Sequence, residues 1–183
     1  GEQSAGLYLV LDGQIKLYAR SDIGQEKVIE VISSGGCIGG SSALCSDAHV
    51  TYASALCDAR VLLIPRAVLE RELWGNPGLA VRLMSDLSRR FNSLVQDIEA
   101  VTLHSGIERV ISYLLRSRAN LDELQLHDFT VSLPASKRTI ASLLSVTPEH
   151  FSRILQELQS RGLITVHRRQ IHVPDAQRLA GYA

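Results

Sequence analysis

Residues 136–173 read SKRTIASLLSVTPEHFSRILQELQSRGLITVHRRQIHV, and the interpretation of the whole chain starts there. The stretch divides into an apolar-periodic segment, Lys137 to Leu144, a break at Ser145-Val146-Thr147, and a second periodic segment from Pro148 to about Arg161. Thr147 is a good N-cap, because its hydroxyl can accept from an orphan backbone N–H, and Pro148 suits the first helical position, where no N–H is needed. At about 100° per residue, Phe151, Ile154, Leu155 and Leu158 share one side of the second helix, while Glu149, Ser152, Arg153, Gln156 and Ser160 share the other. One face is built to pack and the other is left open. Ser145 falls where such turns often hold glycine, so a left-handed backbone there carries strain.

Beyond the second helix, Gly162 to Val166, a turn at His167-Arg168-Arg169-Gln170, and Ile171 to Val173 make two short alternating strands with a basic tip. Two helices across a short turn, followed by such a hairpin, form a winged helix-turn-helix. The open helix face carries groups that can read bases: Arg forks onto guanine, Glu accepts from cytosine N4, and Ser bonds either base type. Glu149 and Arg153, four residues apart, could address both halves of one G·C pair; the plainer reading is a surface ion pair on an amphipathic helix. Arg168 and Arg169 at the tip, with Lys137 and Thr147, are placed for DNA phosphates, against the plainer reading of a solvated basic turn.

On these residues the chain resembles the Crp/Fnr superfamily of bacterial transcription regulators, from Gly1 to about Pro174. The most specific segment is TPEHFSRIL, similar to the recognition helix of the Fnr-type branch, with its E-x-x-S-R signature at Glu149, Ser152 and Arg153. Pro148 stands where the Crp branch has an arginine, so the resemblance implies palindromes of TTGAT-like half-sites. Val110 to Leu115 (VISYLL) and PEHFSRI look most similar to the Dnr-like group of denitrification regulators. The implied fold is α+β. It comprises an N-terminally incomplete double-stranded β-helix of the cyclic-nucleotide-binding type over residues 1–75, a long dimerisation helix over 76–104, and the winged helix-turn-helix over 105–183. Implied partners are double-stranded DNA, a second copy of the chain and RNA polymerase.

Charge agrees with such a division. The 183 residues carry no net charge, yet residues 1–133 hold 12 Lys+Arg and 16 Asp+Glu, whereas 134–183 hold 7 and 3. A basic module on a more acidic body is the electrostatic pattern of a nucleic-acid binder. No apolar run has membrane-spanning length and no signal peptide is visible, so a cytoplasmic protein without a membrane partner is expected. The lack of an initiator Met, with the likeness entering partway through the sensor, suggests a piece of a longer protein.

Leu7 to Leu11, Asp12-Gly13 and Gln14 to Tyr18 read as a hairpin with an Asp-Gly turn. Further strands are expected at Lys27 to Ile32, Val50 to Leu56 and Arg60 to Ile64, a spacing that means a roll or barrel. Cys37 to Ala43 (CIGGSSA) lies where the family keeps its phosphate-binding loop, so Gly39, Gly40, Ser41, Ser42, Val50 and Thr51 are the candidate effector pocket. Aligned to the family, Gly40 takes the place of the ribose-binding Glu and Val50 that of the phosphate-binding Arg. Loss of a charge-assisted fork, a class of bond that contributes about 1.5–3 kcal/mol, disfavours cyclic AMP.

The three cysteines, Cys37, Cys45 and Cys57, fit neither a metal-ligand spacing nor an even disulfide set, and free buried thiols are the default expectation. An iron–sulfur cluster is disfavoured as well, since Leu62 stands at the barrel position where oxygen-sensing relatives have a cysteine. The effector remains unidentified. The Dnr-like resemblance leaves room for haem, with His49 and His104 as candidate iron ligands, although a solvated or hydrogen-bonded histidine is the more ordinary reading of each.

A short helix from Arg66 to Leu73 and a break at Gly75-Asn76-Pro77-Gly78 precede a long helix, Leu79 to Leu103. Leu83, Leu87, Phe91, Leu94, Ile98 and Val101 recur at near-heptad spacing and form the candidate dimer interface, part of the stripe being needed to pack against the roll. A further helix, Ile107 to Arg118, leads through a loop to a strand at Phe129 to Leu133. No catalytic or metal-binding constellation is expected. The alternative from another class, a cupin-like metal enzyme, would need clustered His and carboxylates on the strands, and only His49 lies within residues 1–100.

Overall fold

The computed structural model describes residues 1–45, 48–117 and 128–182. They fall into two compact units, Gly1–Asp97 and Ile98–Ala183. The first contains two three-stranded antiparallel sheets. In one, β1 (Gly6–Asp12) lies between β4 (Cys37–Ile38) and β6 (Arg60–Pro65); in the other, β2 (Gln14–Arg20) lies between β3 (Glu26–Ser33) and β5 (Tyr52–Ala55).

Strands β1 and β2 therefore do not pair, contrary to the hairpin read from Asp12-Gly13. Each enters a different sheet, so that Val10 of β1 and Ile15 of β2 meet Ile32 and Ile38 in one apolar cluster. Gly13 serves the corner between sheets: its φ is +82°, and a Cβ there would lie 2.3 Å from the Asp58 carbonyl oxygen. The true hairpin is β2–β3, closed where the Ser21 N–H donates to the Gln25 carbonyl and the Gly24 N–H to Ser21, both at 2.9 Å.

Beside the sheets lie α1 (Gly40–Cys45) and α2 (Arg66–Gly75), the latter running two residues past its expected end. Leu7, Ala43 and Leu69 form a second buried cluster, with Ile64, Leu73 and Leu83 packed against it. Leu83 belongs to α3 (Pro77–Leu103), 27 residues long. Among the described residues no helix is long and apolar enough to cross a membrane. Cys37 is half-buried and Cys45 and Cys57 are exposed, all three free, so the expectation of buried thiols fails for two of them.

The second unit follows the expected order: α4 (Gly106–Arg116), β7 (Phe129–Ser132), α5 (Lys137–Leu143), α6 (Pro148–Ser160), β8 (Thr165–His167) and β9 (Gln170–Val173), then an unanticipated short helix α7 (Ala176–Ala180). The sheet order is β7-β9-β8. Residues 118–127, the expected end of one helix and most of a loop, lie outside the described residues. Val110, Ile111 and Leu114 of α4, Ile140 and Ala141 of α5, Phe151, Ile154, Leu155 and Leu158 of α6, and Leu179 of α7 are buried together with Ile171 and Val173.

Helix ends explain the remaining differences. After α6, Gly162 is left-handed (φ +66°), its N–H donates to the Gln159 carbonyl, and the Leu163 N–H donates to Leu158. That pair of bonds is a Schellman stop, so Gly162 to Ile164 close a helix, and the strand expected from Gly162 begins only at Thr165. The same motif ends α5, with Ser145 (φ +56°) in the glycine role, its N–H on Ser142 and the Val146 N–H on Ala141. The turn demands a left-handed residue and serine fills it, at a cost of about 1–2 kcal/mol.

Candidate nucleic-acid interface

Helix α6 starts where its cap predicts. Thr147 is extended (φ −72°, ψ 153°) and its Oγ1 accepts from the His150 N–H at 3.1 Å. Its two faces divide as the periodicity requires. Phe151, Ile154, Leu155 and Leu158 are buried; Glu149, Ser152, Arg153, Gln156 and Ser160 are exposed. Among the described residues neither Glu149 nor Arg153 has an ion-pair partner, so the surface-pair reading of this face does not hold. The Ser152 hydroxyl donates to the Pro148 carbonyl at 2.9 Å, which leaves its lone pairs to accept from a base amino group.

His167 pairs with Gln170, so Arg168 and Arg169 alone form the turn of the wing, with Arg168 left-handed (φ +55°). The Arg169 carbonyl accepts from the Leu133 N–H at 2.8 Å, which anchors the tip backbone while both arginine side chains stay exposed. Lys137 is exposed in the first turn of α5, beside the N-cap Ser136, and Arg138 next to it is exposed too, a cation that the sequence reading passed over. Exposed arginines and lysines beside a free helix face suit phosphate contact around a base-reading element.

A second residue escaped notice. Arg109 of α4 is half-buried and spreads its guanidinium over three backbone carbonyls: Nε donates to Leu144 at 2.9 Å, Nη2 to Ser145 at 3.2 Å and Nη1 to His104 at 2.8 Å. Leu144 and Ser145 form the end of α5, where carbonyls lack helical partners and a cation is favoured. In sequence it is one of two arginines in an apolar-periodic helix, with nothing to mark that role.

The family profile of the Crp-like helix-turn-helix domain matches residues 108–182, and that of the cyclic nucleotide-binding domain matches residues 1–73. The chain is a Crp/Fnr-type transcription regulator. It is similar to the global nitrogen regulator of a Nostoc species, at 24% identity over 94% of this chain and 78% of that one. It is likewise similar to the transcriptional activator protein Anr of Pseudomonas protegens, at 25% identity over 100% of this chain and 75% of that one. Its fold matches FixK2 from Bradyrhizobium japonicum with a TM-score of 0.82 at 24% identity, covering 98% of the regulator and 91% of FixK2. These relatives are regulators and not enzymes, which removes the support for a cupin-like catalyst.

In the regulator's roll, Gly39 is left-handed (φ +78°) and a Cβ there would lie 3.1 Å from His49 Cε1. Gly40 opens α1 in place of the expected loop, the Ala43 N–H closing on the Gly39 carbonyl at 2.8 Å. Ser42 is buried, Ser41 exposed and Thr51 half-buried, whereas Val50 is 86% exposed. Of the six residues of the expected effector pocket, Val50 thus has its side chain in solvent. His49 is half-buried and His104 exposed, and among the described residues no three His, Cys, Asp or Glu gather as a metal site.

Arg90 of α3 reaches the strand just before this segment, its Nη1 donating to the Cys37 carbonyl at 2.7 Å while Nε pairs with Asp86 at 3.1 Å and Nη1 lies 3.7 Å from Glu30. Burial pushes the Glu30 carboxyl above its usual range, and Arg90 partly offsets this.

Helix α3 has no buried residue. Leu83 and Leu87 of the expected dimer face are half-buried: Leu83 packs on the Leu7, Ala43 and Leu69 cluster, and Leu87 Cδ2 would lie 3.7 Å from a Cβ on Gly40. Phe91 (66%), Leu94, Ile98 (68%) and Val101 are exposed, and so is Met84. Met84, Leu87, Phe91, Leu94, Ile98 and Val101 recur at a strict three-four heptad spacing, so Met84 rather than Leu83 continues the seam.

Proposed function

We propose that the regulator acts as a homodimer that reads TTGAT-like palindromic half-sites with Glu149, Ser152 and Arg153, while Lys137, Thr147, Arg168 and Arg169 hold the DNA backbone. The observation that carries this reading is the free polar face of α6, unpaired at Glu149 and Arg153 on a helix whose opposite face is wholly buried. Arg153 supplies the fork for a guanine and Glu149 an acceptor for the opposing cytosine. The exposed seam from Met84 to Val101 is the surface on which a second copy packs, giving the two-fold partner that a palindrome requires.

On this reading the roll is a sensor, as its cyclic nucleotide-binding type suggests. It works by binding a ligand more tightly in the DNA-competent state than in the other. The absence of an arginine at Val50 speaks against cyclic AMP. Placement in the Dnr-like group, action in the cytoplasm and contact with RNA polymerase belong to the same proposal.

Selection of bound sites from random double-stranded DNA tests it. Two-fold sites with TTGAT-like halves about one helical turn apart, near 34 Å, are the expected result. Recovery of unrelated sequences, or of asymmetric single sites bound by a monomer, overturns it.

A further inference from the structure

We propose that Arg109 is a positioning residue that fixes the direction of the recognition helix relative to the end of α3, and thereby sets the half-site spacing the regulator accepts. The inference rests on the reading above that two copies bind a palindrome. Its own basis is the meeting of two chain segments on one side chain from α4: His104, which follows α3, and Leu144 with Ser145 in the turn of the helix-turn-helix.

The surroundings leave little play. Only His104 and Ser105 separate α3 from α4. That corner is closed by a capping box, in which the Ser105 side chain accepts from the Glu108 N–H and the Glu108 carboxylate accepts from the Ser105 N–H. Those bonds hold the Glu108 carboxyl below its usual range. Gly106 brings α4 directly against the turn and the start of α6: a Cβ there would lie 3.2 Å from Val146 Cγ1 and 3.3 Å from His150 Cε1. The turn itself depends on the left-handed Ser145, whose carbonyl Arg109 holds. A rotation at the end of α3 is passed through this guanidinium to the turn and on to α6.

Arginine is suited to the task by its planar fork of donors, whereas the ammonium of lysine offers a single point of charge. Leverage makes the orientation matter. Helix α6 has 13 residues and so is about 20 Å long. A tilt of about 10° at one end moves the other by about 3.5 Å, close to one base-pair step.

The experiment compares the full chain with its Arg109→Gln and Arg109→Lys variants. Each is titrated by gel shift on the best palindrome, on palindromes one base pair longer and shorter, and on a single half-site, with dimer mass and thermal melting measured alongside. Wild type is expected to prefer one spacing by about tenfold or more. Arg109→Gln should cut that preference to within about threefold, with half-site affinity falling by no more than about threefold, and Arg109→Lys should fall between. A folded, dimeric Arg109→Gln that keeps the wild-type preference, or that weakens every DNA by the same factor, overturns the assignment. Should Arg109→Gln lack a cooperative melt, the spacing preference of Arg109→Lys decides in the same way. Wild type that binds no palindrome sinks the functional reading itself, an outcome distinct from selective wild type with an equally selective variant.

Discussion

Replacing Phe91 with glutamate should dissociate the dimer without unfolding the subunit. Phe91 is 66% exposed on a helix that has no buried residue, so its own subunit has little use for the ring. An aromatic side chain presents about 150–250 Å². With two thirds of that in water, at about 25 cal/mol per Å², full cover would stabilise each copy by roughly 3 kcal/mol. Covering half of it gives about 1.5 kcal/mol per copy and about 3 kcal/mol for the symmetric pair. Phe91→Glu removes this term and sets two carboxylates at facing seam positions, so the dimer Kd should rise by at least about 100-fold. Sedimentation equilibrium over a dilution series measures it, with thermal melting as the control on the fold. Leu83→Glu supplies the contrast: half-buried on the roll's own core, it should lower the melting temperature first. A Phe91→Glu protein that stays dimeric at wild-type Kd refutes the argument, because the face would then be covered by something other than its copy.

Arg153→Ala should lose about 1–3 kcal/mol on the selected palindrome and relax the preference at one G·C pair, as read by competition gel shift; unchanged affinity would remove Arg153 from the reading face. Arg168→Ala or Arg169→Ala should weaken all sequences alike and reduce the slope of log K against log salt by about 1; a slope equal to wild type would place the wing away from phosphates. Ser145→Gly relieves a left-handed serine and should stabilise the fold, by up to about 1 kcal/mol once glycine's unfolded-state entropy is set against the strain. Urea denaturation reads the change, and a loss of stability would mean that the serine side chain supports the turn.

Helix α6 was legible residue by residue because its determinants are local. A threonine cap, a proline at the first position and a 3.6-residue period act within three turns of chain, and the burial of Phe151, Ile154, Leu155 and Leu158 follows from them. The left-handed Ser145 was legible for the same reason, as a turn that must reverse over three residues. Gly162 carried an equally local helix-stop signal, but the alternating residues after it suggested a strand from the same position.

What sequence alone determined, then, is the longer helices, whose hydrogen bonds close within a few residues and repeat over several turns, together with the polar face that α6 offers; the short helices α1 and α7 carried too little pattern to be read. Tertiary structure decided the pairings that close over long separations. Asp12-Gly13 has hairpin chemistry, yet β1 pairs with β4 and β6 while β2 pairs with β3 and β5, and Val10 and Ile15 meet in one core from different sheets. Leu83 and Met84 are neighbours of similar apolar character, and only the position of the Leu7, Ala43 and Leu69 cluster packs one against the roll and leaves the other exposed. Arg109 is a further case: two of the carbonyls it holds lie 35 and 36 residues away, and no period or cap reaches so far. Such contacts depend on how packed elements bring distant backbone together, which a local pattern does not encode.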